Sequence, residues 1–339
     1  MTKVKFIHTA DIHLDTPFKG LSSLNRDLAL KLKDATFKVF KRIVDLCINE
    51  SVDFLIIAGD IFDIENKSLT TQIRFISEIK RLSEKGIKVY YTCGNHDPLN
   101  SWLPNLQFPE NTFRFNSSEV QCITHYRNNI PVADIYGISY ENRAITRNLA
   151  RTYTLRDNRS SISIAILHGT IGSRGPHENY APFSIQDVLN KGFDYWALGH
   201  IHQRQTINES TPAIVYPGNP QGRDFGEVGE KGCYIVEISN GNKPELAFTR
   251  TQLICFEELD IDLSGETQID GIPERIKKAR KDQIGLDENT NKFFNLMAVI
   301  SNYLTQIFLN LSNKDFIVTF PIFVHKFFFT KTSVSIPVN

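Results

Sequence analysis

The sequence alternates short apolar runs with amphipathic stretches over its first hundred residues, and this alternation restricts the possible folds most. Runs at 4–10, 53–59 and 87–94 are apolar and contain β-branched residues, which is typical of buried strands. Between them, apolar residues recur at steps of three and four, which predicts two helices, the second over 71–85 with Gly86 ending it. The predicted inward positions are Leu28, Leu32, Ala35, Val39, Ile43 and Leu46, then Ile73, Ile76, Ile79 and Leu82. Strand–helix–strand repetition favours a parallel sheet with helices on both faces.

Later parts of the chain carry a different pattern. Runs at 163–169, 193–200, 213–218 and 232–238 predict further strands with short connections, as in a second sheet. A stretch with a basic face, 269–283, predicts a solvated surface helix. From residue 293 onward, nine phenylalanines stand among four charged residues. Two interpretations of that segment stay open: it is a β-rich cap, or it is a segment without its packing partner.

Composition narrows the class of protein. With 339 residues, 41% apolar and 22% charged, the chain fits a globular protein with one large domain and a smaller one. Basic and acidic residues number 38 each, so local patches would have to hold a nucleic-acid partner. Five cysteines without C-x-x-C spacing favour a reducing compartment and argue against a zinc knuckle. The sequence contains neither a signal-peptide core nor an apolar run of about 18 residues, so we expect a cytoplasmic protein without a membrane span.

Side chains that can bind metals follow each of five predicted strands. They are Asp11 and His13, then Asp60 and Asp63, then Asn95, His96 and Asp97, then His168, and finally His200 and His202. Taken singly, each motif has an ordinary explanation, such as surface polarity, a turn, a helix cap or a core histidine. Five motifs in succession, each behind a strand, are hard to explain by chance. Because sites in open α/β sheets form at the carboxyl ends of strands, we expect these side chains to meet at one edge.

The chemistry of these side chains is consistent. Oxygen and imidazole ligands without thiolates suit Mn²⁺, Fe or Zn²⁺ better than a soft metal. The seven candidate ligands are Asp11, His13, Asp60, Asn95, His168, His200 and His202. Seven are too many for one catalytic ion that keeps open positions. If one carboxylate bridges, they suit two ions about 4 Å apart.

The motifs DIH, GDIFD, GNHD, LHG and GHIH, in this order, resemble the signature of calcineurin-like metallophosphoesterases. The segments ADIHLDTPFKGL, YPGNPQGR and GEKGCYIVEI are similar to the DNA repair exonuclease branch, the SbcD-like and YhaO-like proteins. This resemblance implies an α/β fold of four layers, in which helices flank two central mixed β-sheets. It implies a metallophosphoesterase (nuclease) domain over 1–262 and a small cap over 263–339. The last region departs from the family pattern, so the expected cap is atypical or truncated.

The resemblance also implies a role for each ligand. Asp60 would bridge two ions, and His96 would be the catalytic histidine rather than a ligand. Asp63 and Asp97 would orient imidazoles. One ion would be held by Asp11, His13, Asp60 and His202, and the other by Asp60, Asn95, His168 and His200. Both ions would be Mn²⁺, with Fe or Zn²⁺ as alternatives.

By resemblance, the expected function is that of a Mn²⁺-dependent exonuclease in DNA repair. It would degrade double-stranded DNA from 3′ to 5′, with single-strand endonuclease activity as an addition. Its expected partners are DNA, a coiled-coil ATPase of the SbcC or YhaN type, and a second copy of the chain. One alternative is a phosphomonoesterase or a phosphodiesterase for cyclic nucleotides or other small molecules. Another is a non-catalytic adaptor for an ATPase, whose hallmark would be lost ligands, and all seven are present.

DNA contacts are predicted from basic and aromatic residues outside the metal motifs. Arg143, Arg147 and Arg151 are spaced by four, so on a helix they would share one face, where they could contact phosphates. An ordinary exposed helix explains them equally well. Near the later motifs, the candidates for a groove are Tyr180, Phe183, Arg204, Arg223 and Phe225.

Overall fold

The computed structural model describes most of the chain up to residue 262 and several strands beyond it. The described residues are 2–16, 34–63, 68–101, 107–172, 179–224, 226–262, 275, 278, 291–300, 303–312, 315–319 and 333–336, with side chains described through 257 and at 275 and 278. They divide into two compact units, the first within 2–16, 34–221 and 231–251 and the second within 222–230 and 252–336. The domain boundary predicted at residue 262 stays a prediction.

Two six-stranded mixed sheets form the first unit. In chain order its strands are β1 (Lys3–Thr9), β2 (Phe54–Ala58), β3 (Lys88–Thr92), β4 (Thr112–Arg114), β5 (Gln121–Arg127), β6 (Ile130–Gly137), β7 (Ser163–His168), β8 (Tyr195–Gly199), β9 (Gln205–Asn208), β10 (Ala213–Tyr216), β11 (Gly232–Ser239) and β12 (Glu245–Arg250). The first sheet has the order β12-β11-β1-β2-β3-β4, and the second has the order β5-β6-β7-β8-β10-β9. Strands β1 to β4 are parallel, as are β6, β7, β8 and β10, and the others pair antiparallel with their neighbours.

The two mixed sheets confirm the predicted α/β sandwich, but one strand was assigned to the wrong sheet. Strand β11 was predicted in the second sheet, whereas it pairs antiparallel with β1 in the first. A strand's apolar pattern does not specify its partner, because the pairing depends on residues far apart in the sequence. The predicted strands at 163–169, 193–200 and 213–218 do belong to the second sheet.

Two helices accompany the first sheet, α1 (Ala35–Asn49) and α2 (Leu69–Ser83). They pack against each other, with the rings of Phe40 and Phe75 stacked at 5.0 Å, and α2 also packs against β3. The Ser68 hydroxyl accepts the N–H of Thr71 at the start of α2, a typical N-cap. Gly86 has a φ of +71° just past the end of α2, as predicted for a helix stop.

One predicted inward position on α2 is wrong. Ile73 is 53% exposed, and Phe75 is buried instead. The buried stripe runs through Phe75, Ile76, Ile79 and Leu82, so the aromatic residue rather than the first isoleucine begins it. On α1, Ala35, Val39 and Ile43 are buried as predicted. Leu46 is half-buried, while Leu28 and Leu32 lie outside the described residues.

A continuous apolar core lies between the two sheets. Phe6, Phe54 and Tyr90 of the first sheet and Ile164 and Tyr195 of the second belong to it, all fully buried. The first sheet therefore packs one face against the second sheet, and the prediction of helices on both faces is wrong for it. Burial on both faces makes the strands apolar throughout, whichever element covers them.

A second apolar cluster covers the other face of the second sheet. Trp196 and Phe193 pack there with Tyr153, which follows a 3₁₀ turn at Ala150–Thr152. The remaining cover includes a helix of four residues, α3 (Gln186–Leu189). Helical cover is therefore much thinner on the second sheet than the resemblance implied. Within the part of the chain that the structure describes, no helix is long and apolar enough to span a membrane.

The second unit is a five-stranded sheet, whose strands follow one another along the chain. They are β13 (Ile254–Asp262), β14 (Asn291–Ile300), β15 (Tyr303–Ser312), β16 (Asp315–Thr319) and β17 (Ser333–Ile336). β13 and β14 pair in parallel and the later pairs are antiparallel. The β-rich interpretation of the phenylalanine-rich segment agrees with these strands, whereas its role as a cap stays a prediction. The surface helix predicted over 269–283 lies outside the described residues, apart from helical positions 275 and 278.

Candidate metal centre

The loops that follow β1 and β2 run side by side at the carboxyl edge of the first sheet. The N–H of Asp11 donates to the carbonyl of Gly59 at 3.1 Å, and that of His13 donates to the carbonyl of Asp60 at 3.1 Å. Asp11, His13 and Asp60 have φ values of 51°, 45° and 52°, in the left-handed region that residues other than glycine rarely adopt. The hydrogen bonds between the two loops hold this strained backbone in place, and such strain is common at functional sites.

Three glycines make room for the side chains that gather here. A Cβ on Gly94 would collide with the Asp60 carboxylate and the His168 ring, and a Cβ on Gly59 would collide with the same ring. A Cβ on Gly199 would overlap the carbonyl of Ala58. These glycines stand directly before ligand residues in AGD, CGNH and LGH. Their position before ligand residues is the sequence feature that could have indicated this role, which the sequence analysis does not predict.

One group of candidate ligands joins the two sheets. Asp11, His13 and His202 each offer an atom within 4.8 Å of the others. The Nε2 atoms of His13 and His202 lie 3.2 Å apart. The backbone N–H of His200 donates to both carboxylate oxygens of Asp11 at 3.0 Å, which fixes this carboxylate beneath the loop after β8. Burial raises the pKa of Asp11 above its ordinary value.

A second group lies beside the first and contains Asp60, His168 and His200. The Oδ1 atom of Asn95 lies 3.0 Å from Nε2 of His168 and 3.1 Å from Nδ1 of His200, which places the asparagine in this group. Nδ1 of His168 lies 2.8 Å from the carbonyl of Ala58. Because a carbonyl only accepts, Nδ1 carries the hydrogen and Nε2 is directed toward the group.

The Asp60 carboxylate lies between the two groups. Its Oδ2 is 3.3 Å from Nε2 of His168 and 3.8 Å from Nε2 of His13. Burial raises the pKa of Asp60, but the positive charges of the neighbouring imidazoles, led by His168, outweigh burial and hold it well below its usual range. Burial lowers the pKa of His168, but the Asp60 charge outweighs it and raises the pKa to about 9. Ligand binding at Nε2 would therefore displace a proton.

His96 lies at the margin of these groups and is partly exposed. Its backbone N–H donates to Oδ1 of Asp60 at 2.8 Å, and its Nδ1 lies 3.4 Å from Oδ1 of Asp63. Asp63 in turn accepts the hydroxyl of Thr16 at 3.2 Å. His96 and Asp63 also form a third group of possible ligands with His13. The geometry thus places Asp63 beside an imidazole, where it can orient the ring.

Asp97 has a different position from the one predicted. Its carboxylate accepts the N–H groups of Gly94 at 2.7 Å, Ile61 at 2.8 Å and Phe62 at 3.3 Å. Among the contacts that the structure describes for it, none is to an imidazole, so it fastens the loop after β3 to the loop after β2. Burial and the negative charge of Asp60 raise the pKa of Asp97 to about 6.

The residues present fit a pair of divalent cations. Buried carboxylates, an amide oxygen and imidazoles supply hard and borderline donors, and the Asp60 carboxylate between two histidine groups has the position of a bridging ligand. A buried carboxylate is costly unless a cation compensates it. This donor set can polarise a phosphate ester and generate hydroxide from water near neutral pH when ions are bound.

The arginines proposed to contact nucleic acid are spread over several environments. Residues 141–149 are not helical, so Arg143, Arg147 and Arg151 do not share a helix face, and that prediction is wrong. Arg151 pairs with Asp187 at 2.9 Å, while Arg143 and Arg147 are exposed.

Two further arginines have aromatic or acidic partners. The Arg204 guanidinium lies 3.8 Å from the centre of the Phe248 ring. Arg223 pairs with Glu227 at 2.9 Å. Of the aromatic candidates, Tyr180 lies edge-on to His200 with ring centres 5.2 Å apart, and Phe183 is buried. Phe225 lies outside the described residues.

Comparison with known proteins gives a consistent set of relatives. The calcineurin-like phosphoesterase family matches residues 4–204. The uncharacterized metallophosphoesterase YhaO of Bacillus subtilis (strain 168) is 39% identical over 78% of this chain and 64% of its own length, so the chain spans less than two thirds of that relative. The DNA double-strand break repair protein Mre11 of Sulfolobus acidocaldarius is 25% identical over 82% of this chain and 73% of its own length. The SbcD component of the nuclease SbcCD of Staphylococcus epidermidis is 27% identical over 91% of this chain and 82% of its own length.

Proposed function

This chain belongs to the calcineurin-like phosphoesterase family, and from that premise we propose that it is a two-metal phosphodiesterase that cleaves DNA. One observation carries the proposal. Side chains from the ends of five strands in two sheets meet around the Asp60 carboxylate, which lies between two histidine groups. One ion would be held by Asp11, His13, Asp60 and His202, and the other by Asp60, Asn95, His168 and His200. Non-catalytic adaptors have no need of so complete a ligand set.

Two divalent ions, when bound, would lower the pKa of water and neutralise the charge of phosphodiester oxygens. The protein holds the ligand side chains in position and supplies a proton for the departing oxygen. Asp11 is held by the backbone of the loop after β8, and Asp60 by the N–H of His96. His96 is partly exposed beside these ligands and lies 3.4 Å from Asp63. We assign it to hold a proton for the departing oxygen, with Asp63 orienting its ring.

DNA is the substrate that the relatives suggest, since one is named as a DNA double-strand break repair protein and another as part of a nuclease. We propose Mn²⁺-dependent 3′ to 5′ degradation of double-stranded DNA, with single-strand endonuclease activity as a second reaction. The exposed Arg143, Arg147 and Arg204 are the candidate phosphate contacts. The proposed partners are a coiled-coil ATPase and a second copy of the chain, with the cytoplasm as the compartment of action.

A digestion assay tests this function. The full chain, freed of metal with chelator and then given Mn²⁺, is incubated with end-labelled duplex and single-stranded DNA. His96→Ala should bind Mn²⁺ like the wild type but lose about 10²–10⁴-fold in cleavage rate, the usual contribution of a general acid. Asp63→Asn should lose less, because only the orientation of His96 changes. Asp45→Asn is the control, since Asp45 pairs with Arg81 at the surface of α1.

A panel of substrates separates DNA from smaller phosphate esters. A chromogenic diester, a chromogenic monoester, cyclic AMP and labelled duplex are compared with the same protein. Rapid hydrolysis of the monoester or of cyclic AMP with an intact duplex would show that the substrate class is wrong. Wild-type cleavage by His96→Ala would contradict the role given to that residue.

A further inference from the structure

A buried lysine lies behind the metal centre. Lys231 is 5% exposed, and its Nζ donates to the backbone carbonyl of His202 at 2.9 Å. Lysine is rarely so buried, because removing an ammonium group from water is costly unless strong hydrogen bonds replace hydration. The carbonyl that receives this hydrogen bond belongs to a residue of the Asp11–His13–His202 group.

The same carbonyl is held from a second direction by the turn in YPGNPQGR. The N–H of Asn219 donates to it at 3.2 Å. Gly218 has a φ of +75°, and a Cβ at this position would lie 2.7 Å from the His202 carbonyl oxygen. The turn is therefore pressed against the backbone of His202, and only glycine fits there.

One threonine links the turn to the lysine, which stands directly before β11. The hydroxyl of Thr251 donates to the carbonyl of Pro220 at 3.0 Å, and its N–H donates to the carbonyl of Lys231 at 3.1 Å. Lys231, Gly218, Asn219 and Thr251 thus form one assembly, which we call the His202 clamp. It joins two segments that the sequence singled out, YPGNPQGR and GEKGCYIVEI, and that no metal role explains.

His202 needs such support more than Asp11 and His13, the other two members of its group. It stands three residues beyond the end of β8 and is only half-buried, whereas Asp11 and His13 are fully buried. Its Nε2 must nevertheless stay beside Nε2 of His13, 3.2 Å away. Hydrogen bonds to groups that support ligands commonly change metal affinity by about 10–100-fold.

We propose that Lys231 is a positioning residue that holds His202 in place and so sets the affinity of the Asp11–His13–His202 group for its ion. The proposal rests on the two-metal site of the proposed function. It assigns no contact between Lys231 and substrate. The hydrogen bond from Lys231 ends on His202 itself, so the Asp60–His168–His200 group should respond less to a change of Lys231.

Calorimetric titration of the metal-free full chain with Mn²⁺ tests this assignment. The wild type should bind two ions. Lys231→Met should lower the affinity for one ion by about 10–100-fold and the affinity for the other by less. Lys231→Arg should restore part of the loss, because it keeps the charge and a donor. Lys191→Met is a matched control, since Lys191 also donates to backbone carbonyls, those of Arg151 and Tyr153, at 3.0 and 2.8 Å. Lys191→Met should change the free energy of unfolding measured in chelator, but it should leave both Mn²⁺ affinities unchanged.

Each outcome decides the proposal. Unchanged affinities in Lys231→Met, or equal weakening of both ions, would overturn it, and so would a wild type that binds no Mn²⁺. If Lys231→Met does not fold, Gly218→Ala applies the same test by pushing on the His202 carbonyl from the other side. Its control is Gly241→Ala, whose φ is +79° but whose Cβ would meet open space. A wild type that binds two ions but leaves DNA intact would refute the proposed substrate and not the clamp.

Discussion

Gly94→Ala is the smallest change that should disable the metal centre. Gly94 does not need the left-handed region, so alanine brings no backbone strain there, and the only cost is contact. The added Cβ would collide with Oδ1 of Asp60 and lie 2.7 Å from Cε1 and Nε2 of His168. In open space the same replacement would stabilise a protein by about 0.4–1 kcal/mol through the unfolded state. Any loss of stability in Gly94→Ala therefore measures the cost of the collision between the added Cβ and these two side chains.

The two side chains cannot simply move away. Oδ1 of Asp60 accepts the N–H of His96 at 2.8 Å, and the His168 ring is held by the carbonyl of Ala58 at 2.8 Å. Overpacking of a filled site costs about 1–3 kcal/mol. We therefore expect a stability loss of about 1–3 kcal/mol without metal. Displacing a bridging carboxylate should lower Mn²⁺ affinity by at least about 10–100-fold, the range found for lost support of a ligand.

Urea unfolding in chelator and calorimetric titration with Mn²⁺ give the two quantities. Gly86→Ala is the control, because its φ of +71° imposes about 1–2 kcal/mol of strain while its Cβ meets open space at the end of α2. That variant should lose stability and keep metal affinity. Wild-type Mn²⁺ affinity in Gly94→Ala, or wild-type stability of this variant in chelator, would refute this arrangement of Asp60 and His168.

Three further predictions concern other parts of the first unit. Asp97→Asn should cost about 1.5–3 kcal/mol, because an amide cannot accept all three backbone N–H groups that the carboxylate holds, and urea unfolding beside Asp45→Asn measures it. Burial lowers the pKa of His8 from 6.5 to about 3, so below pH 6.5 the unfolded chain binds a proton that the folded chain does not. His8 should therefore contribute a fall of about 2 kcal/mol in the unfolding free energy between pH 7 and 5, which is measured as the difference between the wild type and His8→Gln. An equal pH dependence in the two proteins would contradict this. Phe75→Ala should cost about 3–5 kcal/mol and Ile73→Ala within about 0.5 kcal/mol; similar thermal shifts would argue against the buried stripe.

The local elements were largely predictable from the sequence because their signals are local. Apolar runs marked β1, β2 and β3, and Gly86 marked the end of α2. The prediction that ligands meet at one edge needed only the rule that parallel strands end together. The second sheet extends that edge because β7 and β8 are parallel too, and their ends bring His168, His200 and His202 to the same place.

The sequence could not specify which elements face each other. Strand β11 has the apolar alternation of any buried strand, and its pairing with β1 depends on register over more than two hundred intervening residues. Ile73 and Phe75 both fit a helical repeat, and the neighbouring Phe40 decides which of them is buried. The spacing of Arg143, Arg147 and Arg151 suited a helix that the loop does not form, since periodicity in exposed residues carries little packing energy.

The roles of Gly94, Lys231 and Asp97 were missed for a related physical reason. Each acts on a ligand loop through backbone groups or free space, and none leaves a donor pattern in the sequence. Asp97 stands beside His96 in GNHD and so resembles a partner of the imidazole, yet its carboxylate holds the N–H groups of Gly94, Ile61 and Phe62. The strained backbone at Asp11, His13 and Asp60 requires such fastening, because three residues in the left-handed region would otherwise relax. The ligands can therefore be read from donor chemistry, whereas the groups that keep them in position follow only from the fold.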